Sequence, residues 1–146
     1  MDNFGPLIKK ANTLIEKELN NQMRKIFTET NLTGPQVALL VFLFEANGKM
    51  ISQKELETTF AISHPTIRGI IKRLVQQDLI NTAVPQNDKR QVVLSLTDRG
   101  VSLMNENIEQ IQLTMEQVNH KIISNISKGS QEELSVNLKQ IIQNFS

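Results

Sequence analysis

Apolar residues in this chain recur mostly at the three-and-four spacing of a helix, interrupted by two short stretches that read as strands. Ile8, Ala11, Ile15, Leu19, Met23 and Ile26 form a helical stripe opened by Pro6. Thr33 and Gln36 then make a capping box with Pro35 in the first turn, and the run VALLVFLF (37–44) that follows is apolar nearly all round. Such a helix belongs in a core, and Gly48 is placed to end it. Ile51 is a very short strand candidate. Ser52 and Glu55 cap the helix QKELETTF, and the turn Ala61-Ile62-Ser63 leads into SHPTIRGIIKRL (63–74).

LINTAV and VVLSL read as the two arms of a hairpin around the polar tip PQNDKRQ. Thr97 next caps a helix predicted to run to about Ile126. Its Val101, Met104, Ile108, Ile111, Met115, Val118 and Ile122 alternate spacings of three and four, a heptad seam. A helix of about 40 Å is too long for so small a chain to cover. Gly129 is the expected break, Ser130–Glu133 a third capping box, and Leu134, Leu138, Ile141, Ile142 and Phe145 the last apolar face.

The order is helix, helix, strand, helix, helix, strand, long loop, strand, helix, helix. This predicts a mainly α protein: a winged helix-turn-helix over residues 31–99, with a β-hairpin wing. The flanking segments 1–30 and 100–146 are expected to form a helical dimerisation region. Their stripes have no other cover, so Ile8, Ile15, Leu19, Ile111, Val118, Leu138 and Ile142 are expected at an interface with a second copy. Met104 and Met115 on the seam read as core filler.

The segment 63–76 carries the most distinctive chemistry. At 100° per residue, Ile67, Ile70, Ile71, Leu74 and Val75 gather on one arc, and Pro65, Arg68, Gly69, Lys72, Arg73 and Gln76 on the other. Ser63 is the expected N-cap, with Pro65 in the first turn. A glycine inside a helix costs about 1 kcal/mol against alanine. Gly69 is therefore expected where another surface must come close to the backbone.

Composition narrows the function. The 146-residue chain has no cysteine, which excludes disulfides, thiolate metal sites and thiol-based redox sensing. MDNFGPLIKK lacks the apolar region of a signal peptide, and VALLVFLF is too short to span a bilayer, so a soluble cytoplasmic protein is expected, with no membrane partner. Residues 1–48 carry five basic and five acidic side chains, residues 49–99 eight and five, and residues 100–146 three and five. Positive charge is thus concentrated around SHPTIRGIIKRL, as phosphate binding requires. No P-loop, HExxH, Gly-x-Ser-x-Gly or cysteine nucleophile occurs, so catalysis is not expected. No cofactor is implied, and His64 and His120 stand too far apart in sequence to suggest a metal site.

Residues 51–100 resemble the MarR family of bacterial transcriptional regulators. ISQKELETTFAISHPTIRGIIKRLVQQDLI, then Asp88-Lys89-Arg90 in the wing, then LSLTDRG carry the resemblance, which extends in element order over nearly the whole chain. It implies a symmetric homodimer on double-stranded, pseudo-palindromic operator DNA, acting most simply as a repressor and modulated by a small-molecule effector. Arg68 and Arg73 would then offer guanidinium forks to guanine edges or phosphates, and Lys72 a point charge. Ser63, His64, Pro65 and Thr66 would meet DNA at the helix start, with Gly69 admitting the backbone. Lys89 and Arg90 would lie at the wing tip, with Arg90 in the minor groove and Asp88 orienting its guanidinium. Ser52 and Gln53 are expected at phosphates through free N–H groups. One departure stands out: Ala61 occupies a turn position where glycine is common, at an energetic cost if φ is positive there.

A solvated helix face, or a winged helix that binds protein or RNA, are the competing readings. The pairing of base-reaching helix residues with a charged wing tip favours duplex DNA.

Overall fold

The computed structural model describes residues 1–146. The elements are α1 (Phe4–Ile26), α2 (Gly34–Glu45), β1 (Ile51–Ser52), α3 (Gln53–Phe60), α4 (His64–Gln76), β2 (Ile80–Ala83), β3 (Val93–Leu96), α5 (Asp98–Ile122) and α6 (Lys128–Asn144). Their order is the one the sequence pattern predicts. The three strands form an antiparallel sheet in the order β1-β3-β2, with Ile51 opposite Leu94 and Ile80 opposite Leu96. The pairing of two-residue β1 with β3 ties the start of α3 to the wing.

α2 runs through the core, burying Val37, Leu39, Leu40 and Leu43. Around it lie Leu56 of α3, Ile67, Ile71 and Leu74 of α4, Ile51 and Leu94 of the sheet, and Met104 and Ile111 of α5. Met23 and Phe27, at the end of α1, complete this cluster. The winged helix therefore shares one core with α1 and α5.

Local bonds account for the helix starts. The Gln36 side chain accepts from the Thr33 N–H at 3.0 Å, and Ser52 Oγ accepts from the Glu55 N–H at 3.1 Å. Thr97 joins three segments. Its Oγ1 accepts from the Gly100 N–H at 2.9 Å and donates to the Asp78 carbonyl at 2.7 Å, and its own N–H donates to Leu79. A Cβ on Gly100 would stand 2.2 Å from the Leu79 carbonyl oxygen, so this glycine admits the backbone before β2 against the first turn of α5. The Thr97 and Gly100 of LSLTDRG thus have a structural cause. Ala61, at the α3 C-cap, has φ 50° and ψ 43°, the left-handed conformation in which alanine is disfavoured.

Four expectations need correction. α5 ends at Ile122, and Asn125, with φ 65°, makes the turn; Ser127 caps α6 by accepting from the Ser130 N–H, so Gly129 lies inside the helix and Ser130–Glu133 is not its cap. The heptad seam of α5 divides: Met104, Ile111 and Val118 turn inward, while Val101, Met115 and Ile122 are exposed. Ile111 and Val118 are thus covered by their own chain, chiefly where α1 lies along α5, and are not free for a second copy. Met115, expected as core filler, is also outside, and Val75 of α4 is exposed rather than on the buried arc. The two rows of a heptad seam point in different directions, and α1 covers only one of them.

α6 has no buried residue at all. Leu138 and Ile142 are exposed, as is Ile8 on α1, while Ile15 and Leu19 are half-buried.

Candidate nucleic-acid interface

α4 packs through Ile67, Ile71 and Leu74 and leaves its other side to solvent. Pro65, Arg68, Gly69, Lys72 and Gln76 share a face that, with Gln53 and Thr82, bounds an open groove of about 530 Å³. Nothing lies within 4 Å of the position a Cβ on Gly69 would take. No internal packing therefore asks for this glycine. Arg73 is exposed too but sits on the opposite flank, beside Glu16, Pro35 and Gln36. The arc proposed from the helical wheel is thus broader than a single contact face.

The N-terminus of α4 is open. Ser63 holds the N-cap position, but its Oγ donates to Thr66 Oγ1 at 2.9 Å instead of accepting a backbone N–H. The first-turn N–H groups of His64 and Thr66 remain without an intrahelical acceptor, as at any helix start, and point toward whatever meets this end.

Unpaired cations lie along α4 and at the wing tip. The ion pairs in the structure are Glu57 with His64, Asp88 with Arg90, and Glu18 with Lys121; Arg68, Lys72, Arg73 and Lys89 enter none. A carboxylate partner would have to be displaced before these groups met a phosphate. None is present.

In the wing, Asp88 acts on the backbone more than on the guanidinium. Its Oδ1 accepts from the Arg90 N–H at 3.0 Å, and its carbonyl accepts from the Gln91 N–H at 3.3 Å, closing a turn at the tip. Arg90 Nε stands 3.5 Å from the same oxygen, with the side chain 94% exposed, so the expected orienting fork is replaced by a loose contact. The α3 expectation also changes. The Gln53 N–H donates to Val92 at 2.8 Å, and Ser52 Oγ is occupied by Glu55. Ser52 and Gln53 hold the joint between α3 and the wing, which leaves Gln53 no free backbone N–H for a phosphate.

Sequence reasoning missed Glu57. It lies one turn beyond Gln53 on α3, and its Oε1 takes the Gln53 side-chain amide at 3.2 Å and also contacts His64 Nδ1. The hydrogen bond from Gln53, foremost, holds its carboxyl below the usual glutamate range against the desolvation that raises it, with His64 adding to the lowering. The Gln-x-x-x-Glu spacing was a visible signal; its meeting with His64 depended on how α3 and α4 cross.

An exposed basic helix beside a charged β-hairpin, both held on one shared core, defines a winged helix-turn-helix. Residues 21–107 match the family model described as transcriptional regulator SarA/Rot. The chain belongs to that family, and its type is the MarR-like winged-helix regulator expected from its motifs. Among individual proteins it is 28% identical over 123 residues to the HTH-type transcriptional regulator MgrA of Staphylococcus aureus, covering 83% of this chain and 77% of MgrA. Its fold matches the S. aureus MepR–DNA complex with a TM-score of 0.78 at 16% identity, covering 99% of both chains. It also matches a mutant E. coli MarR complexed with operator DNA, with a TM-score of 0.73 at 23% identity over 94% of this chain and 91% of the other. No helix here is long and apolar enough to cross a membrane.

Proposed function

We propose that this protein is a sequence-specific regulator of transcription, most simply a repressor, that binds a pseudo-palindromic operator as a homodimer in the cytoplasm. The observation that carries the reading is the set of unpaired cations on α4 and the wing, around a glycine that no internal contact explains. In the solved MepR and MarR structures of the same fold, the bound partner is DNA. α4 enters the major groove, with Arg68 on a guanine edge or phosphate, Lys72 on a phosphate, and Arg73 on the backbone strand at the α1–α2 side. Pro65 and Gly69 let the helix lie close, and Ser63, His64 and Thr66 face phosphates at its start. Lys89 and Arg90 meet the adjacent minor groove, where Arg90 senses width.

Residues 31–99 thus read DNA, while segments 1–30 and 100–146 hold two copies together. The exposed apolar residues of α6, among them Leu138 and Ile142, are left largely open by the chain and join Ile8 in that interface. Two α4 helices then meet half-sites about 34 Å apart. A small-molecule effector would act by changing that spacing. Binding to random duplex DNA should weaken steeply with salt, since each phosphate contact releases counterions. Arg68→Ala should lose about 1–3 kcal/mol and relax one operator position per half-site, whereas Lys72→Ala should flatten the salt slope on all sequences. Salt-insensitive binding, or none, would point instead to a protein-binding face.

A further inference from the structure

Between the start of α4 and the base of the wing lies a cleft of about 240 Å³, with Gln53, Lys54 and Glu57 of α3 on one wall, His64 on another and Arg90 and Gln91 closing it. If α4 lies in the major groove and the wing in the minor groove, the sugar–phosphate strand between those grooves must run along this cleft. Its charged groups are Lys54, Glu57, His64 and Arg90. One of the four is an anion, and it is the one that touches the histidine.

The geometry at Glu57 decides which ring nitrogen must carry a proton. An ionised carboxylate only accepts hydrogen bonds, so its contact with Nδ1 requires that this nitrogen carry a proton. Gln53 Nε2 stands 3.2 Å from the same Glu57 oxygen and 3.0 Å from His64 Nδ1. The latter distance is that of two donors converging on one acceptor. With Nδ1 committed, a neutral ring presents a bare Nε2 to the cleft, a lone pair facing phosphate oxygens. A cationic ring presents Nε2–H, a donor to phosphate, and places a positive charge between Glu57 and the incoming anion. The His64 side chain is 60% exposed and that of Glu57 22%, so the ring can reach outward while its anchor stays in place.

We propose that His64 takes up a proton when a DNA phosphate enters this cleft, with Glu57 as the positioning residue that makes the proton necessary, so that DNA affinity falls as pH rises through the histidine range. This rests on the DNA-binding reading above and adds a proton to it. Where the free ring already carries this proton, binding is level with pH; where it does not, each protomer must take one up to bind DNA, and the affinity drops by up to about tenfold per pH unit per protomer. Glu57 stays ionised across this interval, because its carboxyl titrates below the usual glutamate range.

The test is fluorescence anisotropy of a labelled random-sequence duplex with the full-length chain, at constant ionic strength from about pH 5.5 to about pH 8.5. The wild-type protein should bind more weakly as pH rises. His64→Gln should remove that slope, and His120→Gln, altering the other histidine on the exposed side of α5, should keep it. Glu57→Gln frees the ring to carry its proton on Nε2 while neutral, so this variant should also lose the slope and should bind more tightly than wild type at the alkaline end. A merely structural Glu57 would give weaker binding at every pH with the slope unchanged. A slope retained in His64→Gln, or a wild-type affinity level across the interval, overturns the inference while salt-sensitive binding leaves the DNA reading standing. No binding at any pH overturns both.

Discussion

Gly69→Ala should move stability and DNA binding in opposite directions. The residue lies inside α4, exposed, with no atom within 4 Å of the added Cβ. Nothing in the free protein opposes the methyl group, so the substitution should gain the full difference in helix propensity, about 1 kcal/mol. For a chain of this size that corresponds to roughly 3 °C in Tm. In the complex the methyl stands between Arg68 and Lys72 on the face assigned to the major groove. Overfilling a close contact there costs about 1–3 kcal/mol, so affinity should fall about tenfold or more per half-site, tenfold being about 1.4 kcal/mol. Thermal unfolding and duplex titration on one preparation give both numbers. A stabilised variant with undiminished affinity would show that no surface approaches the backbone at this point, and the argument from the glycine would be lost.

Three further outcomes follow from particular contacts. Asp88→Ala removes the acceptor for the Arg90 N–H and should weaken duplex binding, although it deletes a negative charge beside DNA; Asp88→Asn keeps the acceptor and should bind as well as wild type or better at low salt. Equal tightening by both variants in a titration would mean that charge alone matters at the tip. Ala61→Gly relieves a left-handed alanine at about 1–2 kcal/mol, offset by about 0.4–1 kcal/mol of added freedom in the unfolded chain. A net gain of about 0.5–1 kcal/mol should appear in urea denaturation at fixed protein concentration. Leu138→Asp with Ile142→Asp should give the monomer mass in sedimentation at a concentration where the wild type gives twice that mass, since neither side chain supports the fold of its own chain.

The element order was legible from local signals. Capping residues at Thr33, Ser52 and Thr97 mark helix starts because a side chain three residues from a free N–H or acceptor needs no tertiary help to bond it. The core role of VALLVFLF was equally plain, since a helix apolar on every side cannot face water. The basic face of α4 and the polar wing tip could be read because periodicity alone assigns residues to faces. The boundary between α5 and α6 was harder. Gly129 was a visible breaker, yet Asn125 makes the turn, since asparagine also adopts the left-handed conformation.

What periodicity could not decide was which partner covers each face. The heptad seam of α5 is a local pattern, but whether Ile111 and Val118 meet α1 of the same chain or a second copy depends on where the loops let α1 lie. Gln53 and Ser52 carried the right chemistry for phosphates, and only the structure showed that Val92 beside the wing takes the Gln53 backbone N–H while Glu55 of α3 occupies the Ser52 hydroxyl. Glu57 and His64, seven residues apart on different helices, meet through the crossing of α3 and α4. Sequence spacing determines direction along one element, whereas contact between elements is set by packing of the whole core.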